Sequence, residues 1–476
     1  MSNAHEASAK IGASIPGRDN LRTLLRGAMK LGLGTIAGHA ITIGTMPVVA
    51  AIYGPEAFGH WSGWLALAGI FSSVACLRYE TAIALADSER QALHLALLSL
   101  LLSLFSCAIV AIAITAVVAL QVELPLNALG PHASWIPIGA LILAWVAIAS
   151  QWLARNNAVR ALATAKVWAS GVTAIGQITL GALGIGALGL ILGDVIGRGA
   201  GIWGRMRYAY STNRAAIHCA RLYDLAHAGR QFRHHAAWMA PTAILDAIGQ
   251  QLPLLLTLAW FGDTVGGVFA LSLRLLSLPI SLVGQSVAQL YYPMMAQAHR
   301  ECSVRSTRLF LGLSAVMLSI GLLVVLGANL ACLLLPYVRL GDQWRGIVSY
   351  LGPVSVLAAG QLVGSTTSNA AIVLGGQRWF AAWTGLVIIL TVIGMLLGRH
   401  FGEGVGAAWG MAVANTFCYA ILWLAIFLRF RHESGKTRPS TTPVDMRPIG
   451  SRIDVATKPA SGAHRASPRS PNPADP

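Results

Sequence analysis

Long stretches of this chain contain no Asp, Glu, Lys or Arg, among them 31–55, 57–77, 91–122, 124–154, 167–193, 309–338, 346–377, 379–398 and 404–428. A helix needs about 20 such residues to cross the hydrocarbon of a bilayer. Only 11% of the residues are charged, against about a quarter in a soluble domain, and the mean hydropathy is +0.63. So much apolar surface has no place in water. The sequence predicts an all-α, polytopic membrane protein.

Twelve spans are expected, near 27–52, 58–85, 91–120, 133–154, 161–183, 185–206, 234–260, 264–296, 307–336, 346–375, 379–399 and 404–429. Positively charged loops favour the cytoplasmic side. With both termini inside, the inner segments receive Lys10, Arg18, Arg22, Arg26 and Lys30, then Arg90, Arg155, Arg160 and Lys166. The set from Arg205 to Arg233, then Arg300, Arg305, Arg308, Arg378 and the basic tail follow. The outer loops hold only Arg339, Arg345 and Arg399. An odd span count or a reversed orientation would destroy that asymmetry. Residues 1–25 are polar, so no cleavable leader is expected.

The boundaries follow: a polar amino-terminal segment over 1–24, a six-helix lobe over 25–206, a basic linker over 207–233, a second six-helix lobe over 234–430 and a disordered tail over 431–476. An internal echo supports the halves. YGPEAFGHW (53–61) and FGDTVGGVF (261–269) share an aromatic–Gly pair, a second Gly five residues on and an aromatic two beyond it. GLILG (189–193) and GAAWG (406–410) echo each other at the starts of the sixth and twelfth spans. Paired halves with a path between them are a common transporter design.

Several patterns lead nowhere. GIGALG (184–189) matches a dinucleotide-binding glycine pattern but lies in a membrane run without a preceding strand. GKT (435–437) lacks the earlier glycine of a phosphate loop. Six cysteines stand singly and read as small apolar fillers. No cofactor or metal is implied. The net charge of +16 follows membrane topology rather than a nucleic-acid partner.

Polar residues inside the spans carry the information. Arg274, Ser277, Ser281, Gln285 and Gln289 share one face of the eighth span at about 100° per residue. An arginine ten residues into a span does not snorkel easily, so this stripe predicts a wet cavity. Thr242, Asp246, Gln250 and Thr257 share a face of the seventh span. Asp246 is either the counter-ion of Arg274 or a carboxyl neutralised by burial. The first span offers Thr35, His39 and Thr42; His39 reads as a packing residue or as a proton carrier. Asp194 and Arg198, at i and i+4, read as a local ion pair. Arg78 and Glu80, at the inner end of the second span, read as snorkelling groups or as a gate.

The segments YGPEAFG, LRYETAIALADSERQA (77–92), LSLPISLVGQSVAQLYYP (276–293) and LGDQWR (340–345) resemble the polysaccharide transporter family of the multidrug/oligosaccharidyl-lipid/polysaccharide flippase superfamily. The similarity runs from about Arg22 to Phe430. It implies two six-helix lobes around a central cationic cavity in a bacterial inner membrane. It also implies movement of an undecaprenyl-pyrophosphate-linked oligosaccharide from the inner to the outer leaflet. Arg78, Glu80, Asp246 and Arg274 sit in segments where that family often carries charge. On this reading Arg274, Ser277, Ser281, Gln285, Gln289, Asp246, Gln250 and His39 line the cavity, and Arg78 and Glu80 form its cytoplasmic entrance. The partners would be the lipid-linked glycan, membrane lipids, a polysaccharide polymerase and a chain-length regulator. The rivals are a cation-coupled drug exporter of the same superfamily and a polymerase acting on lipid-linked glycans.

Overall fold

The computed structural model describes residues 18–120, 132–218, 222–301, 303–334, 342–373 and 377–436. Every regular element among the described residues is helical. In chain order these are α1 (Arg18–Ile52), α2 (Pro55–Ala75), α3 (Tyr79–Ala82), α4 (Glu89–Ala119), α5 (Ile136–Arg155) and α6 (Val159–Ala182). Then come α7 (Ala187–His218), α8 (Leu222–Gln231), α9 (Arg233–Glu301), α10 (Ser303–Leu334), α11 (Ile347–Val373) and α12 (Gln377–Lys436). A break at Gly262 divides α9 into two arms, and a break at Gly402–Glu403 does the same to α12.

Seven described helical runs are long and apolar enough to cross a membrane, or eight if the bent pair 55–75 and 79–85 is one span. Two physical causes separate this number from the twelve spans expected. The runs 233–276 and 382–432 each pass through a break, so four expected spans fall within two continuous helices. The helices 159–182 and 187–218 carry Lys166, Asp194, Arg198 and Arg205, which dilute their apolar character. The chain is a multi-pass membrane protein, and the expected spans missing from this number include the two that bear these charges.

The segment 207–233 is not an open loop where it is described. Helix α7 runs on to His218, and α8 is a short amphipathic helix. Its Leu225 and Ala228 are buried while Tyr223 and Arg230 are exposed. A Cβ at Gly229 would touch Leu98 of α4.

Burial divides the bundle into two unlike ends. At the end bearing residues 53–54, 262 and 342–346, one apolar core unites both halves of the chain. Tyr53, Phe58 and Trp64 of the first half meet Phe269, Trp344 and Met411 of the second. Trp344 donates Nε1–H to the Ala50 carbonyl at 2.8 Å, and its ring meets Phe58 edge-on at 5.2 Å. At the opposite end the cores are separate. Cys76, Ile83, Leu95 and Trp152 belong to the first half with Ala228 of α8, whereas Met295, Phe310, Leu422 and Phe430 belong to the second. Among the described residues the apolar core is therefore joined at one end and divided at the other.

The echoing segments meet at the joined end. A Cβ at Gly59 would run into the Asp263 carbonyl, and one at Gly267 would run into the Pro55 carbonyl. In the echo Gly59 corresponds to Gly267, and Pro55 to Asp263. The contact is thus reciprocal, as in a two-fold interface between like subunits. The second echo is also structural. Gly193 packs on Gln177 of α6, and Gly410 packs on Gly394 across the arms of α12. Large exposed apolar side chains on α4 and α10, including Phe105, Ile112 and Leu323, form a surface suited to lipid.

Candidate substrate cavity

Single helix faces change character along their length. On the first arm of α9, Trp238, Thr242, Asp246 and Gln250 recur every fourth residue and are all exposed. One turn further toward the joined end, Leu254 and Leu258 are buried in the joint core. On α1, Thr35, His39 and Thr42 are partly exposed, whereas Met46, Val49 and Tyr53 are buried. Exposed polar groups at membrane depth belong against water rather than lipid. These faces are the candidate lining of a hydrated cleft whose apex would lie where they run into the joint core.

Arg274 stands at that apex. It lies 12 residues beyond Gly262 on the second arm of α9, about 18 Å along a helix axis. Helical side chains lean toward the amino terminus, which carries the guanidinium back toward the joined end. There its Cζ sits 3.6 Å from the ring centroid of Trp61 on α2. A desolvated cation–π contact of this kind contributes about 2 kcal/mol, and this one joins the two halves.

Two groups of α7 act on the Arg274 charge, Asp194 by attraction and Arg198 by repulsion. Asp194 is buried and accepts from Arg198 Nε at 2.8 Å. Arg198 holds Asp194, and both charges act on Arg274 from the other half of the chain. The sequence reading of Asp194 and Arg198 as a local pair is correct in geometry and incomplete in its neighbours. A described carboxylate that acts on Arg274 is Asp194, in the other half of the chain. Asp246 accepts from Gln250 Nε2 at 2.8 Å and acts on Tyr419 of α12. Helical spacing placed Asp246 on a polar face but held no information about which helices from the two halves meet.

Three further basic groups lie on α1, α6 and α7. Lys166 Nζ is 3.3 Å from His39 Nε2, and the buried Arg205 acts on Lys166 as a like charge. At the divided end, Arg78 Nη1 is 3.4 Å from Glu80 Oε1, with Glu80 buried. Leu77 and Arg78 have φ of 49° and 64°. Two consecutive left-handed non-glycine residues cost about 1–3 kcal/mol each and turn the chain by 56° between α2 and the 79–85 segment. This knuckle is tied to the linker. Tyr79 donates to the Gly229 carbonyl at 3.1 Å, and Thr81 Oγ1 meets His235 Nε2 at 2.9 Å. Nearby, His227, Arg230, Gln231, Arg233 and His234 line a depression of about 600 Å³.

The sequence from 48 to 349 matches the family model described as polysaccharide biosynthesis protein. The chain belongs to the polysaccharide biosynthesis protein family. No protein of curated function matches it by sequence. In fold, this family member is similar to an inward-facing multidrug resistance MATE family transporter of the MOP superfamily. That match has a TM-score of 0.59 at 16% identity and covers 90% of this chain and 97% of the other. An outward-facing MATE family transporter matches with a TM-score of 0.55 at 17% identity, over 86% and 97% of the two chains. A MOP superfamily transporter from Pyrococcus furiosus, whose binding pocket has reversed polarity, matches at 0.56 with 16% identity over 86% and 96%. These likenesses establish the fold.

Of the cavity residues read from sequence, Arg274 lies at the apex, His39 on α1 beside Lys166, and Asp246 and Gln250 on the exposed stripe. Arg78 and Glu80 lie at the divided end. The side chains of Ser277, Ser281, Gln285 and Gln289 lie outside the described residues. Thr257 is buried and back-bonds to the Pro253 carbonyl at 2.8 Å, so it closes its own helix turn. Sequence reasoning missed Trp61, Lys166 and Arg205. The two bases lie near the ends of their spans and read as interfacial charges. The available signal was that Arg205 shares a face of α7 with Asp194 and Arg198, within about 40° at 100° per residue.

Proposed function

We propose that this family member is a flippase for a lipid-linked oligosaccharide, carrying undecaprenyl-pyrophosphate-bound repeat units from the inner to the outer leaflet of the bacterial inner membrane. One observation carries the reading. Arg274, stacked on Trp61, and the Arg198–Asp194 pair lie where the exposed polar faces of α1 and α9 run into the joint core. Arginine presents a planar donor fork suited to phosphate oxygens, and the polar cleft would shelter sugars while the lipid tail stays in the bilayer. The bases Arg90, Arg155, Arg160, Arg230 and Arg233 crowd the divided end. The positive-inside tendency therefore favours a cytoplasmic location for that end, cytoplasmic termini, twelve crossings and an inward-open state. Arg78 and Glu80 would then border the entrance. A polymerase and a chain-length regulator would take over the flipped product.

A multidrug exporter of the same fold is the second reading. Many exported drugs are cations, and the Arg274 charge at the apex repels them, so the glycolipid reading is favoured. The decisive assay uses proteoliposomes loaded with a fluorescent pyrophosphate-linked oligosaccharide lipid and a membrane-impermeant quencher. The wild-type chain should expose the label to the opposite side, and Arg274→Ala should not. Flipping by Arg274→Ala at the wild-type rate, or export of a cationic dye in place of the glycolipid, would reject the proposal.

A further inference from the structure

A second group of cations is buried apart from the apex. Small residues assemble it. A Cβ at Gly34 would collide with Ala163, one at Gly38 would touch Lys166 Cγ and Ser170 Oγ at 3.3 Å, and one at Gly201 would meet Ala169 at 2.9 Å. These close approaches bring α1 and α7 onto neighbouring flanks of α6. Lys166 emerges between them, and Arg205 follows one turn after Gly201.

Arg205 is only 7% exposed, and its Nε has no hydrogen-bond partner. Among the described residues no carboxylate pairs with Arg205 or Lys166. Asp194 shares the face of α7 but is engaged by Arg198, and it lies 11 residues away, about 16 Å along the axis. Lys166 instead donates to the His39 imidazole at 3.3 Å. Two like charges in a membrane-buried setting, without a counter-ion, are costly unless a matching anion joins them.

We propose that Lys166, Arg205 and His39 form a second anion site, within the first half of the chain, that takes a phosphoryl dianion. Two fixed positive charges match a dianion. The guanidinium fork can hold two phosphate oxygens, the ammonium a third, and the imidazole fixes the lysine. His39 and Lys166 are partly exposed, so an anion has access while Arg205 forms the back wall. Arg205 is seven residues beyond Arg198 on α7, about 10 Å nearer the divided end. The site stands on burial and charge and does not require the transport reading.

Phosphoryl chemistry has two sources here, a pyrophosphate group and a phospholipid head, and one experiment separates them. The full-length protein is purified in uncharged detergent and melted with and without inorganic pyrophosphate. Wild-type Tm should rise with pyrophosphate. Arg205→Met and Lys166→Met should need at least about ten-fold more pyrophosphate for the same rise, the loss expected for one charge-assisted contact. Arg274→Gln removes any contribution of the apex, and the response it retains should be lost when Arg205→Met is added, which separates the two sites. Without anion, Arg205→Met should melt at or above the wild-type Tm, because it removes an uncompensated cation; a structural arginine would give the opposite. In nanodiscs, a response present in phosphatidylcholine but absent in phosphatidylglycerol assigns the site to a lipid head. A response in both assigns it to pyrophosphate. Full wild-type responses in Arg205→Met and Lys166→Met would overturn the proposal. So would early melting of both Arg205→Met and Arg205→Lys whatever the anion.

Discussion

Substituting Gly267 with alanine should push the bundle out of the state described here without unfolding it. A Cβ at this position would stand 2.7 Å from the Pro55 carbonyl carbon and 2.9 Å from the Gly59 nitrogen, besides striking the Pro55 oxygen. Ordinary contact begins near 3.4 Å, so the two backbones must part by at least about 0.7 Å. The obstacles are backbone atoms, which cannot rotate aside. Overpacking of this kind costs about 1–3 kcal/mol. It is felt only where the two echoing segments touch, so it weighs on the joined-end state and spares one in which they separate. The population ratio should therefore shift by about 5–150-fold toward opening at that end. Alanine also favours helix over glycine by about 1 kcal/mol, so global stability should hold. Ser62→Cys, buried near the joined end, and Gln250→Cys, exposed in the cleft, report the two ends in a background without the native cysteines. With an impermeant maleimide, labelling at 62 should rise and labelling at 250 should fall. Gly59→Ala should act alike, and the double variant should fall short of the sum, because the first substitution has already parted the same backbones. Unchanged labelling at both positions in all three variants would refute the reciprocal-contact account.

Asp194→Asn removes the buried carboxylate that holds Arg198 and acts on Arg274. A loss of about 3–5 kcal/mol is expected, seen as a lower Tm that Asp194→Glu largely avoids. Trp344→Phe keeps the ring against Phe58 but loses the donor to the Ala50 carbonyl. It should cost about 1 kcal/mol and raise maleimide labelling at position 62. If the translocated head carries two negative charges, a potential of 100 mV, negative inside, contributes about 4.6 kcal/mol outward, at about 2.3 per charge. Valinomycin with balanced potassium should therefore slow flipping in proteoliposomes, while collapse of the pH gradient alone should not.

Much of this arrangement is legible in the sequence, for identifiable reasons. Helices are legible because lipid demands long uncharged runs. The pseudo-symmetric joined end is legible because each backbone crossing needs a glycine at a fixed offset from an aromatic–Gly pair, and both copies keep it. Arg274 is legible as a lone cation deep in an apolar run. Partnership is not legible. That Asp194 acts on Arg274 depends on how α7 and α9 meet, which no spacing within one helix encodes. Lys166 and Arg205 are hidden for another reason. A base near a span end usually marks an interface, and only the small-residue contacts at Gly34, Gly38 and Gly201 enclose these two.

The meeting of apex and joined end constrains any transport cycle on this fold. Arg274 reaches Trp61 only while the halves are together, because the cation is on α9 and the ring is on α2. Asp194 and Arg198 approach Arg274 across the same divide. The group that would meet the proposed anionic ligand is therefore also part of the contact that joins the halves. An anion that drew Arg274 away from Trp61 would remove an inter-half contact of about 2 kcal/mol while leaving the Asp194–Arg198 pair within α7 intact. A loss of that size changes the closed-to-open ratio about thirty-fold. It leaves the buried core around Phe58, Phe269 and Trp344 as the larger barrier to separation.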